Sequence, residues 1–192
     1  MGTSGLLFFP INIGILLLFI HLAKAARTWD YEPISFVGYS SDESRMTFDA
    51  KIDRAGRSNY GFSAILEWKY EVNEETTVEA LGYRSPNGDE SDYKLLPWAI
   101  PKQSFSDYAS TSYKEVILKT LGDCTNFPRF KGKFQFPWPQ NTYKLDKCKL
   151  EADGLPEFAP SGFYKMVLTV TGKDQPTWGC TFIARITSKT LF

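Results

Sequence analysis

The sequence predicts a mainly β protein: an antiparallel cup-like sheet or sandwich with one amphipathic helix at about residues 104–121. Four segments alternate apolar and polar residues with a period of two, which is the period of a strand with one buried face. Only one convincing segment repeats its apolar residues at helical spacing. Strands on both sides of a single helix favour a closed or cupped antiparallel sheet over an α/β fold.

The clearest alternation covers the thirteen residues at 60–72, YGFSAILEWKYEV. Every second residue is apolar or aromatic, and polar residues fill most of the positions between them. Because successive side chains of a strand point to opposite faces, this pattern buries one face and wets the other. We therefore predict one strand over the whole stretch, well beyond the usual length of about five or six residues. Its large aromatic residues favour a deep, curved sheet with an apolar interior.

The other strands are predicted from weaker alternation and from turn residues between them. The turn at 85–89 contains Asn87-Gly88, which tolerates the positive φ that tight turns need. Residues 54–59 are expected to form a loop into the long strand, and residues 172–176 a turn between the last two strands. The remaining predicted strands are 34–40, 46–53, 76–84, 93–96, 164–170 and 178–186.

The one predicted helix has recognisable ends. Ser104 or Ser106 can cap its N-terminus, and Gly122 is expected to end it. Two interpretations stay open for this helix: a lid over the opening of the sheet, or a packed amphipathic helix that closes the core. The residues on its apolar side are Phe105, Tyr108, Ala109, Ser112, Val116, Ile117 and Leu121.

The N-terminus is predicted to be a signal peptide, residues 1–25. Residues 6–20 are strongly apolar, and Ala23-Lys24-Ala25 offers small residues at the two positions that a signal peptidase reads. The apolar run is interrupted by Pro10 and is short for a membrane-spanning helix, so an uncleaved anchor is the alternative interpretation. We expect residues 26–192 to form a single secreted domain.

Three cysteines are informative in a secreted chain, because disulfides persist outside the cell. Cys124 and Cys148 bracket a proline-rich loop, and we predict that they form a disulfide. Cys180 lies among apolar residues of the last strand. It is expected to be a buried free thiol or else an intermolecular partner.

The composition argues against several classes of function. The chain has 22 basic and 22 acidic residues, and this formal charge of zero argues against nucleic-acid binding, in which a basic face supplies most of the affinity. Its only histidine, His21, lies in the predicted signal peptide, which removes triad catalysis and the commonest metal ligand. A carboxylate pair for glycoside hydrolysis stays open, although the acids of the predicted strands lie on the wet face. We predict no enzyme activity, no cofactor and no metal.

Binding of an apolar ligand needs no motif, since burial is non-directional and its free energy scales with area, at about 0.8 kcal/mol per methylene. The inward aromatic residues of the long strand are therefore candidates for the wall of a ligand site. The alternative interpretation is an ordinary solid core. The candidate ligand-binding residues are Phe62, Leu66, Trp68, Tyr70, Trp98 and Trp138.

Four runs of sequence carry a resemblance to a known family: 67–80 (EWKYEVNEETTVEA), 124–148 (CTNFPRFKGKFQFPWPQNTYKLDKC), 153–167 (DGLPEFAPSGFYKMV) and 172–180 (GKDQPTWGC). Through them the chain resembles the insect CheB chemosensory proteins over essentially all of residues 26–192. That family is distantly similar to the ganglioside-activator protein, a lipid-carrying β-cup. The shared elements are Gly162-Phe163-Tyr164 entering a strand and Gly179-Cys180 in the last strand.

The resemblance implies a secreted protein of gustatory sensory hairs, implicated in the detection of contact pheromones and in courtship, with a cup-shaped lipid site. The chain departs from the activator at its cysteines. The last-strand cysteine of the activator pairs with an N-terminal one, whereas no cysteine of this chain lies between residues 26 and 123.

The expected function is that of a non-enzymatic carrier of apolar or amphiphilic ligands, such as lipids or cuticular hydrocarbon pheromones. The expected partners are the ligand and a sensory membrane receptor or channel, with peripheral contact to a membrane. Two alternatives stay open. An accessory protein would contact the receptor through the loop at 134–139 without binding lipid, or the protein would present a lipid to a glycosidase as the activator does.

Overall fold

The computed structural model describes residues 28–54, 60–97, 99–149 and 158–189. In this part of the chain the protein is mainly β, with antiparallel sheets and one helical segment, as the sequence predicts. The strands are β1 (Trp29–Ser40), β2 (Met46–Arg54), β3 (Tyr60–Trp68), β4 (Thr77–Ser85), β5 (Lys94–Leu95), β6 (Ile100–Ser104), β7 (Asn141–Cys148), β8 (Gly162–Thr171) and β9 (Trp178–Ser188).

The strands form two antiparallel sheets of unequal size. The large sheet has six strands in the order β1-β9-β8-β4-β5, and β6 also pairs with β4. The small sheet has three strands in the order β2-β3-β7. β1 and β2 lie close together, so that one edge of each sheet meets there. A Cβ atom at Gly38 in β1 would lie 2.0 Å from the carbonyl oxygen of Phe48 in β2, which leaves room only for glycine.

Each sheet buries one face of its strands. In the small sheet, alternate residues of β3 are buried from Phe62 to Trp68, while Ile65 between them is 47% exposed. In the large sheet, Val78, Val170 and Trp178 are direct neighbours across β4, β8 and β9, and all three are buried. The buried faces of the two sheets supply most of one hydrophobic core.

The long predicted strand at 60–72 is shorter in the structure. β3 ends at Trp68, yet Tyr70 and Val72 remain buried beyond its end. The chain bends at Tyr70, so residues 69–72 do not continue the strand. The alternation therefore predicted burial correctly at these positions and predicted strand pairing wrongly.

The helical segment, residues 105–124, occupies the place of the predicted helix but is not one regular α-helix. It consists of an α-helix (Phe105–Ser110), a π-helix (Tyr113–Leu118), a short α-helix (Lys119–Leu121) and a 3-10 turn (Gly122–Cys124). Ser104 is the N-cap, because its Oγ accepts a 3.1 Å hydrogen bond from the N–H of Asp107.

Two features of the helical segment depart from the prediction. The first α-helix is interrupted at Thr111, whose φ of −121° and ψ of −89° are not helical, while its hydroxyl and its N–H both donate to the carbonyl oxygen of Asp107. The last α-helix ends at Leu121 with Gly122 as its C-cap, as expected, but the φ of Gly122 is −60° and a 3-10 turn continues the helical segment to Cys124.

Two strands were not expected from the sequence. β6 contains Pro101, which is rare in strands but tolerated at the edge of a sheet, where β6 lies. β7 falls in the region 124–160, where little regular structure was expected, because only Tyr143 and Leu145 alternate before Cys148.

The predicted signal peptide (1–25) and residues 55–59 of the predicted loop lie outside the described residues. None of the helices in the described ranges has the length and apolarity to cross a membrane.

Candidate functional site

A cavity of about 250 Å³ lies between the two sheets and the helical segment. It is larger than the engineered apolar cavity of about 150 Å³ that stays dry and binds benzene. If a methylene occupies about as much space as a water molecule, about 30 Å³, the cavity holds roughly eight methylene-sized groups. Its lining residues are Phe36, Phe48, Phe62, Leu66, Trp68, Val78, Phe105, Tyr108, Tyr113, Ile117, Leu121, Phe127, Trp138, Tyr143, Leu145, Leu168, Val170, Trp178, Cys180 and Phe182.

The cavity wall contains apolar and aromatic side chains, with no Lys, Arg, His, Asp or Glu among them. The strands place these side chains through their alternation. Leu168 and Cys180 are paired neighbours on β8 and β9, and Phe62 and Leu66 face them from β3. Such a wall offers burial of apolar surface rather than acid–base or nucleophilic chemistry.

The helical segment and the loop at 125–140 complete the wall. Tyr113 and Phe127 line the cavity, and the Tyr113 hydroxyl donates a 2.7 Å hydrogen bond to the carbonyl oxygen of Pro128. A second link joins the backbone N–H of Phe134 to the hydroxyl of Ser110 at 3.0 Å. The helical segment and the loop are therefore held together over the cavity.

The disulfide between Cys124 and Cys148 is present, as predicted, with its Cα atoms 5.4 Å apart. It joins the end of the helical segment to the end of β7. Cys148 is also the partner of Phe62 in the pairing of β7 with β3. The bond therefore ties the helical segment to the small sheet beside a lining residue of the cavity.

Trp68, the last residue of β3, lies at the centre of an aromatic cluster in the wall. Its ring centroid is 4.8 Å from that of Trp178 and 5.4 Å from that of Trp138. These contacts join β3, β9 and the loop that carries Trp138. Aromatic pairs at such separations add about 0.5–1.5 kcal/mol each beyond their buried area. The cluster gives this part of the wall a defined shape.

The structure brings four of the six predicted ligand residues to the cavity. The four lining residues are Phe62, Leu66, Trp68 and Trp138. That these residues contact a ligand remains a prediction. Trp98 lies outside the described residues.

Tyr70 is buried but is not a lining residue, because it stacks on Trp68 with centroids 5.6 Å apart and lies behind it. Burial raises the pKa of Tyr70 to about 12, partly offset by the hydrogen bond that its hydroxyl accepts from the Trp178 indole N–H.

Most lining residues were not singled out from the sequence, although a signal for them existed. Val170, Trp178 and Phe182 alternate along the last two strands, and Tyr108 lies on the predicted apolar side of the helix. The pattern identified these residues as buried. It could not distinguish a residue that faces a cavity from one that packs in solid core, since both are apolar.

Two polar groups in the wall are buried without a partner. Within the described ranges, the indole N–H groups of Trp68 and Trp138 have no hydrogen-bond acceptor, and each residue is 4% exposed. Burial raises the pKa of Tyr143, and the nearby Trp138 N–H opposes that rise. The Trp138 N–H and the Tyr143 hydroxyl nevertheless do not reach hydrogen-bonding geometry. Leaving a buried donor unsatisfied costs about 1–3 kcal/mol.

Cys180 forms no disulfide within the described part of the chain, and it lines the cavity. Its side chain is partly accessible because it borders the cavity, although it is shielded from the outside. Burial raises the pKa of the thiol to about 12, so it is neutral at physiological pH. In the part of the chain that the structure describes, no three His, Cys, Asp or Glu side chains cluster as metal ligands would.

The loop at 134–139 was the surface expected to contact a receptor under one of the alternatives. Its two large anchors, Phe134 and Trp138, are each 4% exposed and pack inward. Pro137 and Pro139 are exposed. Trp138 is therefore not a surface residue, and a substitution there would alter the cavity wall rather than a contact with a receptor.

Part of the chain matches the model of a known family. Residues 79–166 match the model of a family described as "Protein of unknown function (DUF1091)". The matched region runs from β4 to β8 and includes the helical segment, the disulfide and the loop over the cavity. No curated protein matches the chain.

Proposed function

We propose that the protein is a non-enzymatic carrier that binds one apolar or amphiphilic chain in the cavity. The observation that carries the proposal is a hollow of about 250 Å³ whose wall is apolar and aromatic, with no charged side chain among the described residues that line it. The side chains around a cavity of this size lack van der Waals contacts that they would make in a solid core. A bound chain restores those contacts.

The expected strength of binding follows from the size of the cavity. Burial of roughly eight methylenes, at about 0.8 kcal/mol each, contributes about 6 kcal/mol before the loss of ligand freedom is deducted. Restored dispersion contacts with the aromatic wall add to this value. A contribution of about 6 kcal/mol corresponds to a dissociation constant of about 40 µM before the loss of ligand freedom is deducted. We therefore expect binding in the high-micromolar range or weaker, and a longer ligand to extend beyond the cavity.

We further propose that the carrier acts outside the cell in chemosensation. The resemblance to the insect CheB proteins supports this setting, as do the predicted signal peptide and the disulfide of Cys124 and Cys148, which is stable in an oxidising compartment. In this proposal the ligand is a lipid or cuticular hydrocarbon that is delivered to a sensory membrane receptor or channel, in gustatory detection of pheromones during courtship.

The test of binding uses a pair of neighbouring residues on β8. Leu168 lines the cavity, whereas Val167 points to the opposite face of the sheet. Delipidated protein is titrated with the fluorescent probe N-phenylnaphthylamine, and the probe is then displaced with octan-1-ol, a soluble chain that matches the estimated length of the cavity. We expect saturable uptake of the probe by the wild type and by Val167→Trp.

Leu168→Trp removes room for two or more methylenes, so we expect it to weaken binding by at least about tenfold. A thermal unfolding curve for each variant shows that it is folded. Absence of saturable uptake by the wild type, or equal affinity in folded Leu168→Trp, would contradict the proposal.

A further inference from the structure

The loop over the cavity and the strand that follows it carry charge of one sign only. Residues 124–145 contain four of the 22 basic residues of the chain and none of its 22 acidic residues. The four are Arg129, Lys131, Lys133 and Lys144. In a chain whose formal charge is zero, this stretch is a local basic segment.

Three of these basic residues surround an open recess on the outside of the loop. The residues that line it are Arg129, Phe130, Lys131, Lys133 and Gln135. Lys131, Lys133 and Gln135 are exposed, whereas Phe130 is partly buried and packs against the core. The recess therefore combines exposed cationic groups with an aromatic ring on its inner side.

The two lysines of the recess have no counter-ion in the described part of the chain. No carboxylate there forms an ion pair with Lys131 or Lys133. Arg129 has a contact of 3.6 Å with Asp123, whose side chain is fully exposed, so water and salt screen this pair. The positive charge of the recess is thus left available to a partner.

Hydrogen bonds to the helical segment hold the recess in shape. Nη2 of Arg129 donates a 2.7 Å hydrogen bond to the carbonyl oxygen of Gly122. On the other side of the turn, the Lys114 ammonium donates to the carbonyl oxygen of Gly132. A loop that is already braced loses less conformational freedom when it binds a partner.

The recess and the cavity are separated by one layer of aromatic side chains. The ring centroid of Phe130 is 5.5 Å from that of Trp138 and 6.4 Å from that of Tyr113. Trp138 and Tyr113 both line the cavity. A partner that covers the recess would therefore lie next to the proposed ligand site.

The chemistry of the recess fits an extended negative surface. Recognition of one fixed carboxylate or phosphate typically uses a bidentate arginine, but Nη2 of Arg129 already bonds to Gly122. The two lysines are point charges on flexible stems, which suit the many head groups of an anionic bilayer. Each basic side chain near such a surface contributes about fivefold in affinity.

We propose that the recess docks the protein on an anionic lipid membrane through Lys131 and Lys133, with the loop over the cavity facing the bilayer. The choice of a membrane rather than an acidic protein rests on the proposed function, because a carrier of apolar chains exchanges them with lipid. Docking does not require an occupied cavity, so the two proposals can fail separately.

The test measures binding of delipidated, secreted protein to lipid vesicles by co-sedimentation. One set of vesicles is pure phosphatidylcholine, and the other contains equal parts of phosphatidylcholine and phosphatidylglycerol. At low ionic strength we expect at least about tenfold tighter binding to the anionic vesicles. At about 0.5 M salt, where exposed charges are strongly screened, the difference should fall below about threefold.

Two double variants separate charge at the recess from net charge. Lys131→Gln/Lys133→Gln should weaken binding to the anionic vesicles by about tenfold to thirtyfold, and Lys131→Arg/Lys133→Arg should keep it within about twofold. The matched control, Lys51→Gln/Lys94→Gln, removes two exposed lysines from β2 and β5 and is expected to change binding by less than about threefold. Thermal unfolding shows that each variant is folded.

Two further arms identify the partner. Poly-glutamate replaces the vesicles as a model of an acidic protein, and inorganic phosphate competes with them at matched ionic strength. Tighter binding to poly-glutamate than to the anionic vesicles, or inhibition by phosphate well beyond that by chloride, would overturn membrane docking.

Equal binding of the wild type to both kinds of vesicle, or equal losses in the two Lys→Gln double variants, would also overturn it and leave the carrier function standing. Selective vesicle binding without uptake of N-phenylnaphthylamine would remove the carrier function and leave the docking surface.

Discussion

The indole N–H of Trp178 donates a 2.7 Å hydrogen bond to the hydroxyl of Tyr70, and both residues are buried. Trp178 opens β9 in the large sheet, and Tyr70 follows the end of β3 in the small sheet. The bond therefore joins the two sheets across the core. It also fixes the orientation of an indole ring that lines the cavity.

Removal of this bond tests its contribution to stability. Tyr70→Phe deletes the acceptor and leaves the Trp178 N–H buried without a partner, which we expect to lower the free energy of unfolding by about 1–3 kcal/mol. The measurement is the urea midpoint at constant m-value. The control is Tyr39→Phe, whose hydroxyl is bonded to Thr169 on the exposed surface, where water replaces the lost partner. An equal decrease in the free energy of unfolding for Tyr70→Phe and Tyr39→Phe would contradict this prediction.

The N-cap of the helical segment gives a second prediction. The hydroxyl of Ser104 accepts from the N–H of Asp107 at 3.1 Å and donates to its carboxylate at 2.7 Å. Ser104→Ala is expected to lower the free energy of unfolding by about 1 kcal/mol. Ser106→Ala, the other serine that the sequence offered as a cap, is expected to change it by less than about 0.5 kcal/mol. Chemical denaturation of both variants distinguishes them, and the reverse order would place the cap at Ser106.

The disulfide is expected to stabilise the folded state mainly by restricting the unfolded chain. The bonded cysteines are 24 residues apart, and a loop of that length corresponds to about 3–4 kcal/mol in the chain-entropy model. The Cys124→Ala/Cys148→Ala double variant should lose about that much stability in urea denaturation. Reductant should destabilise the wild type similarly and leave the double variant unchanged. An effect below about 1 kcal/mol would show that the loop is restricted by other contacts.

The buried thiol predicts a dependence of stability on alkaline pH. Burial raises the pKa of Cys180 from its ordinary value of 9.0 to about 12 in the folded protein. The folded state therefore holds this proton more tightly than the unfolded state. The stability that follows is present below about pH 9 and is lost as the pH rises from about 9 to about 12.

A variant that lacks only this thiol isolates the effect. Relative to its own stability at pH 7.5, Cys180→Ala should lose about 2 kcal/mol less than the wild type by about pH 10.5. Buried Tyr70, whose pKa is raised to about 12 by burial, destabilises both proteins above about pH 10. Parallel pH curves for wild type and variant would show that the thiol titrates normally.

The sequence was most informative where alternation of side chains decides the structure. The strands that carry Phe62 and Phe182 were predicted because a strand with one buried face has a period of two, and that period appears in few other structures. The disulfide was predictable because its two cysteines bracket one loop. Local patterns of this kind are fixed by residues near one another in the chain.

The features that escaped prediction depend on distant parts of the chain. β3 ends at Trp68 because pairing with its neighbours stops there, and nothing in the local pattern marks that point. Tyr70 looks identical to the cavity residues in sequence, yet a partner on β9 holds it behind Trp68. Whether a buried face encloses a hollow depends on the spacing of the two sheets, which periodicity does not report.

The most direct measurement of the central claim is quenching of tryptophan fluorescence by a brominated alkane in delipidated protein. Trp68, Trp138 and Trp178 line the cavity, so a chain inside it places bromine close to three indole rings. We predict saturable quenching with one chain bound per protein, reversed by excess octan-1-ol. Quenching that rises linearly without saturation, or its absence at concentrations where the alkane is soluble, would contradict a ligand-binding cavity.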